Sequence, residues 1–135
     1  MRALIGIGVV LLMAACGGKA DEPASAVDAS LRVKHVLDPK AEGVYVEGSI
    51  WHLRVFDSRG HQIADRKLTD DSVSLRLAEG RYDLWSEELP CDGNCSQLDP
   101  GTDSCSMKFH VAVGETRTAT VALNPSKGCT IAFHT

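Results

Sequence analysis

The sequence predicts an all-β fold, an antiparallel β-sandwich of about seven or eight strands with a disulfide-bonded loop. Three observations predict it. Apolar and polar side chains alternate with a period of two from residue 31 onward, turn residues interrupt this alternation regularly, and no stretch has a helical period. Strands with one face on a core and the other in water produce such alternation. The 135 residues suffice for one such domain and are too few for two ordinary cores.

Four segments alternate most clearly, and we expect their apolar side chains to face the core. The apolar sets are Trp51, Leu53 and Val55; Val73, Leu75 and Leu77; Met107, Phe109, Val111 and Val113; and Ala119, Val121 and Leu123. Shorter strand candidates cover residues 31–37, 44–46, 61–68, 82–88 and 130–133.

Glycine-containing turns separate the predicted strands. Residues 58–60, Ser-Arg-Gly, predict a three-residue loop with Gly60 in the left-handed conformation. Gly114 and Glu115 predict a two-residue hairpin with glycine first. We therefore expect the strand around Met107 to pair with the strand around Val121.

The first 15 residues are predicted to form a targeting segment rather than part of the fold. Arg2 precedes an uncharged apolar run of 13 residues. A helix of that length rises only ~20 Å, whereas the hydrocarbon core of a bilayer is ~30 Å thick. The segment therefore predicts a signal peptide.

The apolar run ends in Met13-Ala14-Ala15-Cys16, which resembles the lipobox of bacterial lipoproteins. The resemblance implies cleavage before Cys16, lipidation of its thiol, and a lipid anchor in a membrane on the extracytoplasmic or periplasmic side. The alternative is ordinary secretion with cleavage after Ala15. Met13 disfavours it, because that cleavage prefers a small side chain at this position.

Residues 17–30 have no hydrophobic period and predict a flexible tether. We therefore divide the chain into a signal peptide (1–15), a lipidated cysteine with its tether (16–30) and a β-sandwich domain (31–135). Without residues 1–15 the chain has 13 basic and 18 acidic side chains, so its net charge changes from -4 to -5. This balance disfavours nucleic acid, and also an anionic lipid surface, as a partner of the domain itself.

Residues 53–89 resemble the prealbumin-like repeat of carboxypeptidase regulatory-like domains. The matching positions are Asp57 and Gly60, where a strand ends and turns, and Gly80 and Tyr82, where a later strand begins. The resemblance implies a seven- or eight-stranded sandwich without catalysis. An immunoglobulin-type domain is disfavoured, because no cysteine precedes Trp51 within the domain.

The five cysteines become an even set if Cys16 carries lipid. The other four are Cys91, Cys95, Cys105 and Cys129. An oxidising compartment favours two disulfides. We favour Cys91–Cys95 with Cys105–Cys129, because the predicted hairpin brings Cys105 near Cys129. The pairing Cys91–Cys105 with Cys95–Cys129 remains open.

Zinc is disfavoured as an alternative to disulfides, because three, nine and 23 residues separate successive cysteines, unlike paired C-x2-C motifs. The same cysteine-loop pattern resembles that of uncharacterised predicted bacterial lipoproteins, a resemblance that implies no activity.

The loop between Cys91 and Cys105 contains weak candidate calcium ligands. They are Asp92, Asn94, Asp99 and Asp103. Asp92, Asn94, Ser96 and Asp103 stand at positions 1, 3, 5 and 12 of a twelve-residue calcium loop. Gln97 replaces the turn glycine, position 12 is Asp rather than Glu, and no helices flank the loop. Ordinary surface turns use the same residue types, so we expect no metal and no cofactor.

We expect a non-catalytic binding module, because no recognised catalytic motif is present. Its contact surface is predicted at the cysteine loop and at Trp85, which alternation places on the face opposite Tyr82 and Leu84. On that face Trp85 would lie either exposed beside Glu87 and Glu88 or buried under the cysteine loop. An envelope protein or a carbohydrate would be the partner. The histidines, such as His52 and His110, are expected to be solvated. The alternatives are a metal-stabilised structural module and a small envelope enzyme of unrecognised type.

Overall fold

The computed structural model describes residues 29–37, 49–91, 95–124 and 127–134. These residues form eight β-strands and no helix, arranged as two four-stranded sheets. The predicted all-β sandwich is therefore confirmed. The strands are β1 (Ala29–Leu37), β2 (Ser49–Asp57), β3 (Gln62–Leu68), β4 (Ser72–Leu77), β5 (Gly80–Pro90), β6 (Thr102–Val111), β7 (Thr116–Asn124) and β8 (Gly128–His134).

Sheet A has the strand order β4-β1-β7-β8, and sheet B has the order β3-β2-β5-β6. Neighbouring strands are antiparallel except β1 and β7, which are parallel. The parallel pair arises because the chain leaves sheet A after β1 and later returns beside it in the same direction. Within the described residues, no helix is long and apolar enough to cross a membrane.

The core lies between the sheets and follows the period-two pattern. Leu31 and Val33 of sheet A and Leu53, Val55 and Leu84 of sheet B are fully buried. Every predicted core position in β2 and β7 is buried as well. The candidate strand at 44–46 lies outside the described residues.

Two predicted core residues near β6 are exposed instead. Met107 is 40% exposed and Val113 is 55% exposed. Met107 lies on an edge strand of sheet B, so a neighbouring strand covers it on one side only. Val113 lies beyond the end of β6, in the turn before β7.

Of the two hairpins predicted at glycine-containing turns, one is confirmed and the other is wrong. Gly60, at a φ of +81°, closes the predicted hairpin between β2 and β3. The hairpin predicted at Gly114 and Glu115 is wrong, because this turn joins β6 in sheet B to β7 in sheet A. Gly114 does adopt a positive φ of +74°, and the Glu115 carboxylate accepts a 2.8 Å hydrogen bond from the backbone N–H of Ala112. A tight turn thus fixes a chain reversal without determining which strands pair.

Two disulfides are present, Cys91–Cys95 and Cys105–Cys129. The favoured pairing is confirmed, but the hairpin that motivated it is absent. Cys105 lies on β6, an edge strand of sheet B, and Cys129 lies on β8, an edge strand of sheet A. The second disulfide therefore joins the two sheets directly along one side of the sandwich.

Candidate ligand-binding face

Trp85 lies on the outer face of sheet B. Tyr82, Leu84 and Ser86 of the same strand are buried on the inner face, so the predicted side for Trp85 is confirmed. Its surroundings match neither alternative in full, because Trp85 is half-buried and Glu88 faces the interior at 6% exposure. Trp85 therefore lies neither exposed beside both glutamates nor fully buried under the cysteine loop.

The indole ring of Trp85 is covered by neighbours on β2. Arg54 and Trp85 are register partners in the β2–β5 pair, and the guanidinium carbon lies 3.8 Å from the ring centroid. This is a cation–π contact on a sheet surface. The ring of His52 meets the indole edge-on, with the centroids 5.8 Å apart. The sheet register thus fixes the orientation of the indole.

His52 lies between two carboxylates, so the prediction that it is solvated is wrong. Its side chain is 12% exposed. Nδ1 lies 2.9 Å from Oε1 of Glu87, and Nε2 lies 2.9 Å from Oδ1 of Asp65. When ionised, a carboxylate only accepts hydrogen bonds, so a ring nitrogen that carries a proton donates to the carboxylate it faces. Both ring nitrogens of His52 thus lie against carboxylate oxygens in this arrangement.

We call His52, Arg54, Asp65, Trp85 and Glu87 the Trp85 cluster. Arg54 closes it, with a guanidinium nitrogen 3.9 Å from Oε1 of Glu87. The members come from β2, β3 and β5, so the cluster forms only in the folded sheet. Such a network holds its side chains in place before a ligand arrives, which reduces the entropy cost of binding.

The loop that follows the first disulfide borders the Trp85 cluster. Gly101 lies so close to Glu87 that a Cβ at this position would overlap the carboxylate. The backbone N–H of Asp99 donates a 2.9 Å hydrogen bond to the carbonyl of Pro90. Leu89 is 7% exposed although it shares the outer-face alternation of Trp85. The cysteine loop therefore covers this end of the outer face.

A groove of about 710 Å³ lies on the other side of the cluster, beside the β2–β3 turn. It combines an aromatic ring with side chains of both charges, including Phe56, Arg81, Asp83, Lys108 and His110. Nζ of Lys108 lies 3.0 Å from Oδ2 of Asp83, and Oδ1 of Asp83 is buried without a hydrogen-bond partner among the described residues. The groove thus offers exposed cations beside an aromatic side chain.

Asp57 and Tyr82, singled out by the family resemblance, support turns. The Asp57 carboxylate accepts backbone hydrogen bonds from His61 and Arg59 at 2.9 and 2.8 Å. These bonds, with that of His61 the larger cause, lower the pKa of Asp57. The Tyr82 hydroxyl donates a 2.8 Å bond to the carbonyl of Ala78, and burial raises its pKa.

The described residues do not assemble the candidate calcium ligands. Asp92 and Asn94 lie outside the described residues, and Asp99 and Asp103 are exposed. Among the described side chains, no group of three His, Cys, Asp or Glu residues converges as a metal site would require.

Sequence patterns did not single out Arg54 or Asp65. They indicated Glu87 only as a neighbour of Trp85, and they predicted that His52 is solvated. The alternation in β2 does place His52 and Arg54 on one polar face. Joining them to Asp65 and Glu87 requires the register of three strands, which no local pattern specifies.

A scan against protein-family models finds no match to the chain. A search of curated proteins likewise finds no significant similarity.

Proposed function

We propose that the protein is a lipid-anchored, non-catalytic binding module of the cell envelope, with the outer face of sheet B as its contact surface. The observation that carries the proposal is the Trp85 cluster beside the groove, which together form a preordered aromatic and charged surface. Tryptophan and arginine are the residue types that most often dominate binding energy at interfaces.

The resemblance to a lipobox at residues 13–16 supports the anchoring part of the proposal. The first described strand begins at Ala29, 13 residues after Cys16. At about 3.5 Å per residue, that length spans at most about 45 Å. The anchor would thus keep the domain close to the membrane surface while leaving room for it to orient.

The chemistry of the outer face supports a partner with both polar and apolar groups. Phe56 and Trp85 offer aromatic surface, whereas Arg81 and Lys108 offer exposed cations. A carbohydrate or a segment of an envelope protein presents that mixture. Both partner classes belong to the proposal.

A site-specific photo-crosslinker tests the contact surface in cells. Ser106 is exposed on β6 and is the register partner of Trp85, whereas Thr130 is exposed on the outer face of sheet A and serves as the control position. We expect an adduct with a protein or carbohydrate from position 106 and no such adduct from position 130. Adding Trp85→Ala should lower the adduct yield about tenfold or more, because hot-spot truncations cost about 2 kcal/mol.

The melting temperature of Trp85→Ala must remain close to that of the unmodified protein for this comparison. Equal adduct yields from the two positions would contradict the assignment of the contact surface. So would a yield at position 106 that does not respond to Trp85→Ala in a folded protein.

A further inference from the structure

The two sheets differ sharply in charge. Among their described residues, the four strands of sheet A contain no Asp or Glu, although the whole chain is acidic. Sheet B carries Asp or Glu on every strand. The acidic strand residues are Asp57, Asp65, Asp83, Glu87, Glu88 and Asp103. The net charge of the chain is a sum over both sheets, and it therefore does not show that their charges differ.

The outer face of sheet A is basic and rich in hydroxyl groups. Arg32 and Lys34 point outward from β1, because Leu31, Val33 and His35 are buried. Arg76 is also exposed, on β4, which pairs with β1. None of the three forms an ion pair within the part of the chain that the structure describes. The hydroxyl side chains of this face are Ser30, Ser72, Ser74, Thr116, Thr118, Thr120 and Thr130.

The position of these cations matters more than their number. Arg32 and Lys34 are two residues apart on one strand, so their Cα atoms are about 6.6 Å apart. Arg76 is the register partner of Ser30 on the neighbouring strand. Among the described acidic residues, Asp71, Glu79 and Glu115 lie nearest to these strands along the chain, and all three lie in connections at the strand ends. The cations thus occupy one continuous stretch of the sheet surface.

We propose that the outer face of sheet A docks on the anionic phospholipid headgroups of the membrane that carries the anchor. Charge complementarity supports this occupant, since a basic hydroxyl-rich face fits a layer of phosphates. The chain position supports it too, because β1, which carries two of the cations, is the first described strand after Cys16. This inference rests on the proposed anchoring, which would raise the local concentration of headgroups around a weakly binding face.

Docking through sheet A gives the domain a defined orientation. The two sheets pack face to face, so their outer faces point in opposite directions. With sheet A on the membrane, the Trp85 cluster and the groove on sheet B face away from the lipid. One face would hold the module and the other would be presented to its partner.

Vesicle sedimentation tests the docking face without using the lipid anchor. The processed chain, residues 16–135 with Cys16→Ser, is mixed at low salt with vesicles of phosphatidylcholine alone or with added phosphatidylglycerol. We expect preferential binding to the phosphatidylglycerol vesicles, and loss of that preference at high salt. The variant Arg32→Gln/Lys34→Gln/Arg76→Gln should lower binding at least tenfold, since each basic residue contributes about fivefold.

The matched control removes three exposed cations of sheet B and its β2–β3 turn, as Arg59→Gln/Lys67→Gln/Arg81→Gln. It changes the net charge equally and should retain binding. Equal binding to both vesicle types would overturn the inference, as would an equal loss in both triple variants. Binding to soluble polygalacturonate but not to the vesicles would instead assign the face to an acidic polysaccharide. Because this protein lacks the anchor, these outcomes are independent of whether Cys16 is lipidated in cells.

Discussion

Replacing both Cys105 and Cys129 with alanine is expected to lower the free energy of unfolding by about 3.5 kcal/mol. The disulfide closes a loop with a sequence separation of 24 residues, and the chain-entropy relation gives that value. It also connects the edge strands β6 and β8 of opposite sheets, so its loss frees one side of the sandwich. For a domain of this size, the melting temperature should fall by roughly 15 °C.

The Cys91–Cys95 disulfide provides the matched control. Its sequence separation is only 4 residues, so the same relation gives about 2 kcal/mol for its removal. Urea denaturation of the two double variants measures both losses. A greater loss for Cys91→Ala/Cys95→Ala than for Cys105→Ala/Cys129→Ala would contradict the assignment of the longer disulfide as the principal cross-link between the sheets.

Acidification is expected to remove about 2.5 kcal/mol of stability between pH 7 and pH 4.5 through His35 alone. His35 is 3% exposed, stacks on Trp51 with 4.3 Å between ring centroids, and has no hydrogen-bond partner for either ring nitrogen among the described residues. Burial lowers its pKa from 6.5 to about 4, opposed by the nearby charge of Asp71. Between these two pH values the unfolded chain binds the proton more readily, so stability falls as the pH falls.

His35→Phe separates this effect from the titration of carboxyl groups. Phenylalanine can still stack on Trp51 but binds no proton. The variant should therefore lose about 2.5 kcal/mol less than the unmodified protein when unfolding in urea is compared at pH 7 and pH 4.5. Identical acid-dependent losses in the two proteins would show that His35 is already accessible to protons in the folded state.

Local sequence patterns predicted the layers of this fold better than its connections. The alternation around Leu53 and Val121 identifies core positions, because burial imposes a period of two on any strand of the sandwich. Gly60 identifies a real hairpin because its left-handed conformation is a local property. Gly114 also adopts a positive φ, yet the strands that its turn joins belong to different sheets. Pairing depends on distant strands, which a turn does not specify.

The candidate site, too, could be predicted only in its local features and not in its contacts between strands. Trp85 could be placed on the correct face from alternation within β5 alone. Its contacts could not, because Arg54 is separated from it by 31 positions in sequence and meets it only through sheet register. The basic face of sheet A could not be predicted from the net charge of the chain, for a related reason. Net charge is a sum over the chain, whereas an interface depends on which strands share a sheet.

The proposed function and the proposed docking of sheet A both assume that the protein is attached to a membrane through Cys16. The most direct measurement is the intact mass of the protein extracted from the membrane fraction, together with the location of the Cys16→Ser variant. We predict a chain that begins at residue 16 and carries diacylglycerol-type lipid on that cysteine, and a variant that is released from the membrane fraction. A membrane-bound chain without lipid on Cys16, or continued membrane retention of Cys16→Ser, would contradict the anchoring.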